Sequence, residues 1–232
     1  MKNQRGFTLI ELLIAITVMA VMAGLSWRGL DGLLRTREAT QQRVDQTAVL
    51  QTVLAQWTAD LDAMQAVPGL SDAGLLWDGQ VLRITRRSSA WRMDGSDPGL
   101  WVVAWTRQGT THGQWVRWQS AALTERNALN QAWQQAARWG QNPSSEDLAR
   151  QTLLTPLDRW QLVYFRGNAW TNPLSSAAVA ASPGEPTAAA APSTVNSTPD
   201  AIRLLLDLPA STGLGGRLTL DWVRPNFSNT KS

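Results

Sequence analysis

The first pattern along the chain is a long apolar run close to its start. Residues 7–27 would form about 31 Å of α-helix at ~1.5 Å per residue, which is enough to cross the hydrocarbon core of a bilayer. The polar residues that interrupt the run before Leu25 are Thr8, Glu11 and Thr17. Lys2 and Arg5 precede it, which predicts a cytoplasmic N-terminus and the rest of the chain across the membrane. We therefore predict a single transmembrane helix.

A second apolar pattern predicts that this helix continues beyond the membrane, over residues 28–67. Its apolar positions alternate in steps of four and three, which places them on one helical face. The residues with this spacing are Leu50, Leu54, Trp57, Leu61 and Met64. The pattern lasts too few turns for a coiled coil and favours a helix packed on a sheet of its own domain. Val67-Pro68-Gly69 is expected to end the helix.

Beyond the helix the apolar period becomes that of strands, which predicts a β-rich domain over residues 75–223. Short runs of β-type residues are bounded there by Gly, Asp and Pro. These runs are 81–87, 100–108, 114–119, 160–167, 202–208 and 217–223. Within the second run, Trp101, Val103 and Trp105 share one face. Residues 109–113 are typical of a hairpin between the second and third runs.

Two segments interrupt this series of strands. Residues 121–156 form a partly helical insertion, in which a helix is predicted over 121–139 and stopped by Gly140. Residues 171–199 are rich in Pro, Ala and Ser and are predicted to be a flexible loop, because such a composition cannot bury a core. Residues 224–232 form a tail. A helix followed by mostly antiparallel strands predicts an α+β fold.

The composition then limits the chemistry. The chain has no cysteine, one histidine and a net charge of only +3, which excludes disulfides and thiolate sites and argues against a nucleic-acid partner. The histidine, His112, lies in a Gly-flanked turn and is expected to be exposed. Phosphate-binding loops and the HExxH and GxSxG motifs are absent from the sequence. We therefore predict no enzyme activity, no cofactor and no metal site.

Acidic residues give no stronger sign of a reactive site. Asp94–Gly99 has residues typical of calcium loops but lacks the EF-hand spacing, so a turn is predicted. Asp60 and Asp62 are interpreted as part of the solvated face of the helix. Glu146 and Asp147 are interpreted as the first turn of another helix.

The chain is unusual in having 13 tryptophans beside one tyrosine and three phenylalanines. Tryptophan and arginine together could form a surface that stacks on sugars or single strands, but core filling is the favoured interpretation. The positions on apolar patterns are Trp57, Trp101, Trp105, Trp133 and Trp160. The remaining surface candidates, for which a protein interface is favoured, are Trp77, Trp91 and Trp118, near Arg83, Arg87 and Arg117.

Glu11 does not fit the two simplest interpretations of the apolar run. A secretory signal peptide has a shorter apolar region of about 7–15 residues, and a carboxylate inside it opposes insertion. Val21-Met22-Ala23 is nevertheless an acceptable cleavage site of that kind. A plain membrane anchor explains the length of the run but not Glu11.

The residues Gly6-Phe7-Thr8-Leu9-Ile10-Glu11 closely resemble the signature of type IV prepilins, which pilins and pseudopilins share. The resemblance implies a leader peptide of residues 1–6. It also implies that a prepilin peptidase cuts between Gly6 and Phe7 and methylates the new amine of Phe7. The fold implied is pilin-like, and Glu11 becomes the fifth residue of the mature chain.

Electrostatics supplies a reason for this glutamate in such a protein. Cleavage creates a positive amine at the end of a helix, and an isolated charge in a medium of low dielectric constant is costly. In a stack of subunits, Glu11 of one subunit can approach the Phe7 amine of its neighbour. We interpret this pairing as a contact that fixes subunit register during assembly.

Downstream stretches resemble the J-type minor pseudopilin of type II secretion systems. They are "SWRGLDGLLRTRE", "VLRITRR", the hairpin "WVVAW…WVRW", "WQLVYFRGNAW" and "DAIRLLLDL…GRLTLDWVRP". The resemblance implies an inner-membrane protein with a periplasmic domain at the tip of a pseudopilus. Its implied partners are the I-, K- and H-type minor pseudopilins and the major pseudopilin, and its implied role is structural.

Two alternatives stay open. A minor pilin of a type IV pilus would have the same membrane end and a different set of partners. An exported Trp-rich binding module or enzyme behind an ordinary signal peptide would instead begin at Gly24 after cleavage.

Overall fold

A computed structural model describes residues 8–88, 99–110, 113–174 and 198–225. The chain divides into two compact units, residues 1–47 and residues 48–232, which are described separately. The long helix α1 (Leu9–Asp62) begins in the first unit and ends in the second.

In the first unit, α1 is exposed from Leu9 to Asp45, and only Gln46 and Thr47 are half-buried. Within the described residues it is the one helix long and apolar enough to cross a membrane, as judged by length and composition. The Thr17 hydroxyl donates to the Leu13 carbonyl at 2.8 Å. A hydroxyl that is satisfied within its own helix can enter an apolar medium at a smaller cost.

In the second unit, α1 ends at Asp62, five residues before the predicted stop at Val67. The following residues pair with a strand instead of continuing the helix. The Gln65 N–H donates to the Thr85 carbonyl at 2.8 Å, and the Arg87 N–H donates to the Ala63 carbonyl at 2.9 Å. These bonds supply partners for backbone groups that a longer helix would have paired internally.

The first sheet has five antiparallel strands in the order β1-β2-β3-β4-β5. Its strands are β1 (Leu75–Trp77), β2 (Val81–Arg87), β3 (Leu100–Gln108), β4 (Gln114–Gln119) and β5 (Gln151–Pro156). The pairing of Gln108 with Gln114 confirms the predicted hairpin between β3 and β4. His112, which lies between β3 and β4 in sequence, is outside the described residues.

Two helices lie between β4 and β5 in sequence: α2 (Arg126–Trp139) and α3 (Ser145–Ala149). The helix start predicted at Glu146 and Asp147 is that of α3, and a capping box holds it. The Ser144 hydroxyl accepts from the Asp147 N–H at 3.2 Å, and the Asp147 carboxylate accepts from the Ser144 N–H at 2.9 Å. This reciprocal pair satisfies backbone donors that the helix start leaves free.

The second sheet has four antiparallel strands in the order β7-β6-β8-β9. Its strands are β6 (Arg159–Arg166), β7 (Ala169–Thr171), β8 (Ala201–Leu208) and β9 (Gly216–Val223). The indole N–H of Trp222, on β9, donates to Asp62 at 2.8 Å, which ties this sheet to the end of α1.

The central strands of the first sheet are buried on both faces. One face packs with the end of α1 and the inner face of the second sheet in a large core that contains Trp57, Trp105 and Trp160. The other face packs against α2 through a second core that contains Trp118 and Trp133. Alternate residues of β2 and β3 therefore enter different cores, which explains why nearly the whole of both strands is buried.

Tryptophans fill the large core through edge and tilted contacts. The ring centres of Trp57 and Trp105 lie 5.3 Å apart, and those of Trp105 and Trp115 lie 4.7 Å apart. Trp77 and Trp160 meet edge to face at 4.7 Å. Such contacts add to the free energy of area burial. The interpretation of most tryptophans as core residues is confirmed.

The α+β pilin-like class is confirmed: a long apolar N-terminal helix precedes antiparallel sheets. The six predicted strand runs match β2, β3, β4, β6, β8 and β9 to within one residue. The helix predicted over 121–139 begins later, at Arg126. The predicted insertion 121–156 also contains β5, which completes the first sheet and was missed.

The prediction that Asp60 lies on a solvated face is wrong. Asp60 has 0% of its surface exposed and accepts hydrogen bonds from three strands. Arg86 of β2 donates to Oδ1, and the Trp105 indole of β3 donates to Oδ2 at 2.9 Å. Arg117 of β4 makes a bidentate pair at 2.7 and 2.9 Å. Gln56 adds a fifth bond at 2.9 Å, so one carboxylate links α1 to the centre of the first sheet.

We expect the Asp60→Asn variant to lower the free energy of unfolding by about 3–5 kcal/mol, because the buried Arg86 and the half-buried Arg117 lose the carboxylate that they share. Urea unfolding of the full chain in detergent, followed by tryptophan fluorescence, measures this loss. Asp221→Asn is the matched control, since Asp221 pairs with Arg203 in a much more exposed place. Equal losses in the two variants would contradict the structural role of Asp60.

The capping box of α3 predicts a pH-dependent contribution to stability. Burial raises the pKa of Asp147, but hydrogen bonds from the Ser144 backbone and hydroxyl and from Gln135 outweigh it, so the pKa lies below its usual value. The stabilisation is therefore complete above the unfolded pKa of about 3.9 and is lost as the pH falls through the lower folded pKa.

We expect Asp147→Asn to cost about 1 kcal/mol at pH 7, a typical value for loss of a cap. The difference in free energy of unfolding between this variant and the wild-type chain should shrink as the pH is lowered to about 3, which is below the pKa of aspartate in the unfolded chain. Urea midpoints at the two pH values measure this change. Glu146→Gln, at the exposed residue next to Asp147, is the control variant. If the stability difference between Asp147→Asn and the wild-type chain did not change with pH, the pH-dependent role of Asp147 would be refuted.

Candidate functional site

The start of α1 is held by a reciprocal cap between Thr8 and Glu11. Thr8 immediately precedes the first helical residue, Leu9. The Glu11 N–H donates to the Thr8 hydroxyl at 3.4 Å, and the Glu11 carboxylate accepts from the Thr8 N–H at 3.5 Å and from its hydroxyl at 3.4 Å. The spacing is that of a capping box, with threonine at the cap and glutamate three residues later.

The same geometry leaves the Glu11 carboxylate available for a stronger partner. Its bonds to Thr8 are longer than the 2.7–3.2 Å typical of protein N–H···O bonds. Glu11 is also exposed. A carboxylate in the first turn interacts favourably with the positive end of the helix dipole. A cation at this end of the helix would therefore meet a carboxylate that Thr8 orients but binds only through long hydrogen bonds.

Apolar side chains surround this carboxylate on the helix. Leu9, Ile10, Leu12 and Leu13 are each more than half exposed. In an apolar environment the effective dielectric constant is low, so a charge pair at Glu11 would be much stronger than in water. Gly6 and Phe7, the other two residues assigned to this site by resemblance, lie outside the described residues.

The predicted surface of tryptophan and arginine is not formed by the described residues. Trp118 is 0% exposed and lies in the second core, so its interpretation as a surface residue is wrong. Arg83 is buried over the Trp133 ring at 5.1 Å, and Arg117 belongs to the Asp60 network. Trp91 lies outside the described residues.

The described part of the chain offers no group of three or more acidic or histidine side chains that could hold a metal ion. Asp94 to Pro98, the turn with calcium-type residues, lies outside it. The most conspicuous buried charges, around Asp60, are paired with one another. The helix start, by contrast, presents an exposed carboxylate, that of Glu11.

Sequence reasoning identified Glu11 but missed the cap. The Thr-x-x-Glu spacing before an apolar run was a sufficient signal, because it is the sequence signature of a capping box. The partners of Asp60 were also missed. They come from strands distant in sequence, so no local pattern could have indicated them.

The first 27 residues match the family model for the prokaryotic N-terminal methylation motif. The match covers Gly6, Phe7 and Glu11 and the first part of α1. It supports a prepilin-like protein, and it implies processing by a prepilin peptidase and assembly with other pilin-like subunits. The apolar helix that follows is consistent with membrane anchoring.

Proposed function

We propose that the chain is a minor pseudopilin of the J type, which assembles at the tip of a type II secretion pseudopilus. The observation that carries the proposal is the methylation motif at the start of an apolar helix that leads into a β-rich domain. The role is structural: the chain binds neighbouring subunits and catalyses no reaction of its own.

Maturation is the first step of this function. A prepilin peptidase cuts between Gly6 and Phe7 and methylates the amine of Phe7. Residues 1–6 are lost, and the new N-terminal residue, Phe7, lies two residues before Leu9, the first residue of α1. Glu11 then lies within the first turns of the mature chain, close to a new positive charge.

Assembly follows from the electrostatics of that end. A methylated amine stays positive, and a charge in an apolar medium needs a partner. The exposed Glu11 carboxylate, whose bonds to the described residues are long ones to Thr8, can turn towards the Phe7 amine of a neighbouring subunit. Because the pair forms at only one axial offset, it selects the register of two helices that apolar contacts alone would allow to slide.

The J-type assignment draws its support from the resemblance over residues 26–38 and over most of the strands. The I- and K-type minor pseudopilins would be its partners at the tip, with the H-type and the major pseudopilin below. The chain would then be an inner-membrane protein with a cytoplasmic N-terminus, and its β-rich domain would lie in the periplasm.

Mass spectrometry of the chain purified from its native membrane tests the maturation step. The expected N-terminus is Phe7 with one methyl group on its amine. A Gly6→Val variant should remain uncut, because the peptidase would meet a branched side chain in place of glycine. A mature chain that begins at Gly24 would show an ordinary signal peptide and would refute the proposal.

The role of Glu11 is tested by Glu11→Gln, which removes the charge and keeps the shape. Processing should be unchanged, while recovery of complexes with the I- and K-type subunits should fall about tenfold or more, the loss that ~1.4 kcal/mol produces. Glu38→Gln, an exposed glutamate on the same helix, is the matched control and should assemble normally.

Two outcomes of this experiment would overturn parts of the proposal. Equal recovery of the Glu11→Gln and Glu38→Gln chains would remove the register role of Glu11. Recovery of the wild-type chain with type IV pilus subunits, and not with I- and K-type partners, would assign it to a pilus as a minor pilin.

A further inference from the structure

A small cavity lies in the β-rich unit between the turn that precedes β1, β1 itself and β6. Its volume is about 180 Å³, which is room for several water molecules or a small ligand. Trp77 and Trp133 contribute to its apolar wall, and Ser71, Tyr164 and Arg166 contribute polar groups. None of these residues takes part in the proposed processing or register site.

Three polar atoms of the lining residues are buried without a hydrogen-bond partner. They are the Ser71 hydroxyl, the Tyr164 hydroxyl and Nε of Arg166. Ser71 is only 5% exposed and Tyr164 only 2%. A buried polar group left unsatisfied costs roughly 1–3 kcal/mol, so three such groups around one cavity favour a bound molecule that pairs with them.

Each of these groups can donate a hydrogen bond. Arg166 is half-buried and forms no ion pair with a described residue. Its guanidinium carbon lies 4.8 Å from the centre of the Tyr164 ring. Burial raises the pKa of the Tyr164 hydroxyl, so this group remains a donor at neutral pH. Two hydroxyls and one unpaired cation together match an anionic acceptor.

One carboxylate, that of Asp72, also lines the cavity. Asp72 is exposed, and its Oδ1 already accepts from the Gly69 N–H at 2.7 Å. Water screens its repulsion of a bound anion. With one cation and one nearby carboxylate, the site suits a singly charged ligand better than a phosphate, which carries more charge.

We propose that this cavity binds a carboxylate group on a short apolar stem. The carboxylate would pair with Arg166, Tyr164 and Ser71, and the stem would contact the tryptophans of the apolar wall. The carboxylate could come from a free short-chain acid or from the acidic side chain of a partner protein, since both present the same group.

The single tyrosine of the chain provides a probe at the site. The full chain in detergent, labelled with ¹³C at Cζ of tyrosine, gives one Tyr164 signal whose shift reports hydrogen bonding of the hydroxyl. Titration with propionate at constant ionic strength should give a saturable shift, with a dissociation constant on the order of millimolar. Propionamide, which has the same shape and no charge, should bind at least about tenfold more weakly.

A variant pair separates the site from general anion effects. Arg166→Gln should abolish the propionate response, whereas Arg203→Gln should retain it. Arg203 lies over Trp170 on the other face of the second sheet and pairs with Asp221. If the wild-type Tyr164 signal shows no saturable response to propionate, or responds equally to propionamide, the proposal is overturned whatever the variants do.

A second titration distinguishes the two sources of the carboxylate. N-acetylglutamate amide presents an acidic side chain as a protein would, and N-acetylglutamine amide is its uncharged control. Binding of the glutamate compound as tightly as propionate supports a partner's acidic side chain. Binding of propionate alone supports a free carboxylate ligand.

Discussion

The β-rich unit depends on one buried carboxylate, that of Asp60. It accepts five hydrogen bonds, and three of its donor residues come from β2, β3 and β4. In the sheet register, Trp105 is paired with Arg117. A slip of one residue in either strand would turn a donor to the opposite face, away from Asp60. The network therefore specifies strand register as well as the position of α1 on the sheet.

Tryptophans form part of the surroundings of these buried charges. Arg86 and Arg117 lie near the faces of Trp101 and Trp105, at 5.3 and 6.0 Å from the ring centres. These rings attract the cations and also exclude water, which strengthens the ion pairs. The abundance of tryptophan in this chain is therefore a property of its interior, where large rings fill space between two sheets and a helix.

The features that the sequence predicted well are those encoded in neighbouring residues. β2, β3 and β4 were found to the residue because β-type runs end at clear turn signals. β5 was missed because Gln151–Pro156 shows no regular alternation and is mostly exposed. Asp60 was misjudged because its partners lie 26, 45 and 57 residues away, and only the folded chain brings them together. The helix start could be assigned because the motif occupies consecutive residues.

Asp60 and Glu11 lie on the same helix, but their different surroundings give the two carboxylates different roles. Asp60 is saturated by donors, so its charge is fixed and can only support the fold. Among the described residues, Glu11 bonds only weakly, to Thr8, and its carboxylate is exposed. A cation that approaches Glu11 would therefore gain an interaction that the long bonds to Thr8 do not already supply. An unsaturated charge near a helix start in an apolar setting is stable only if assembly or the membrane interface supplies its partner.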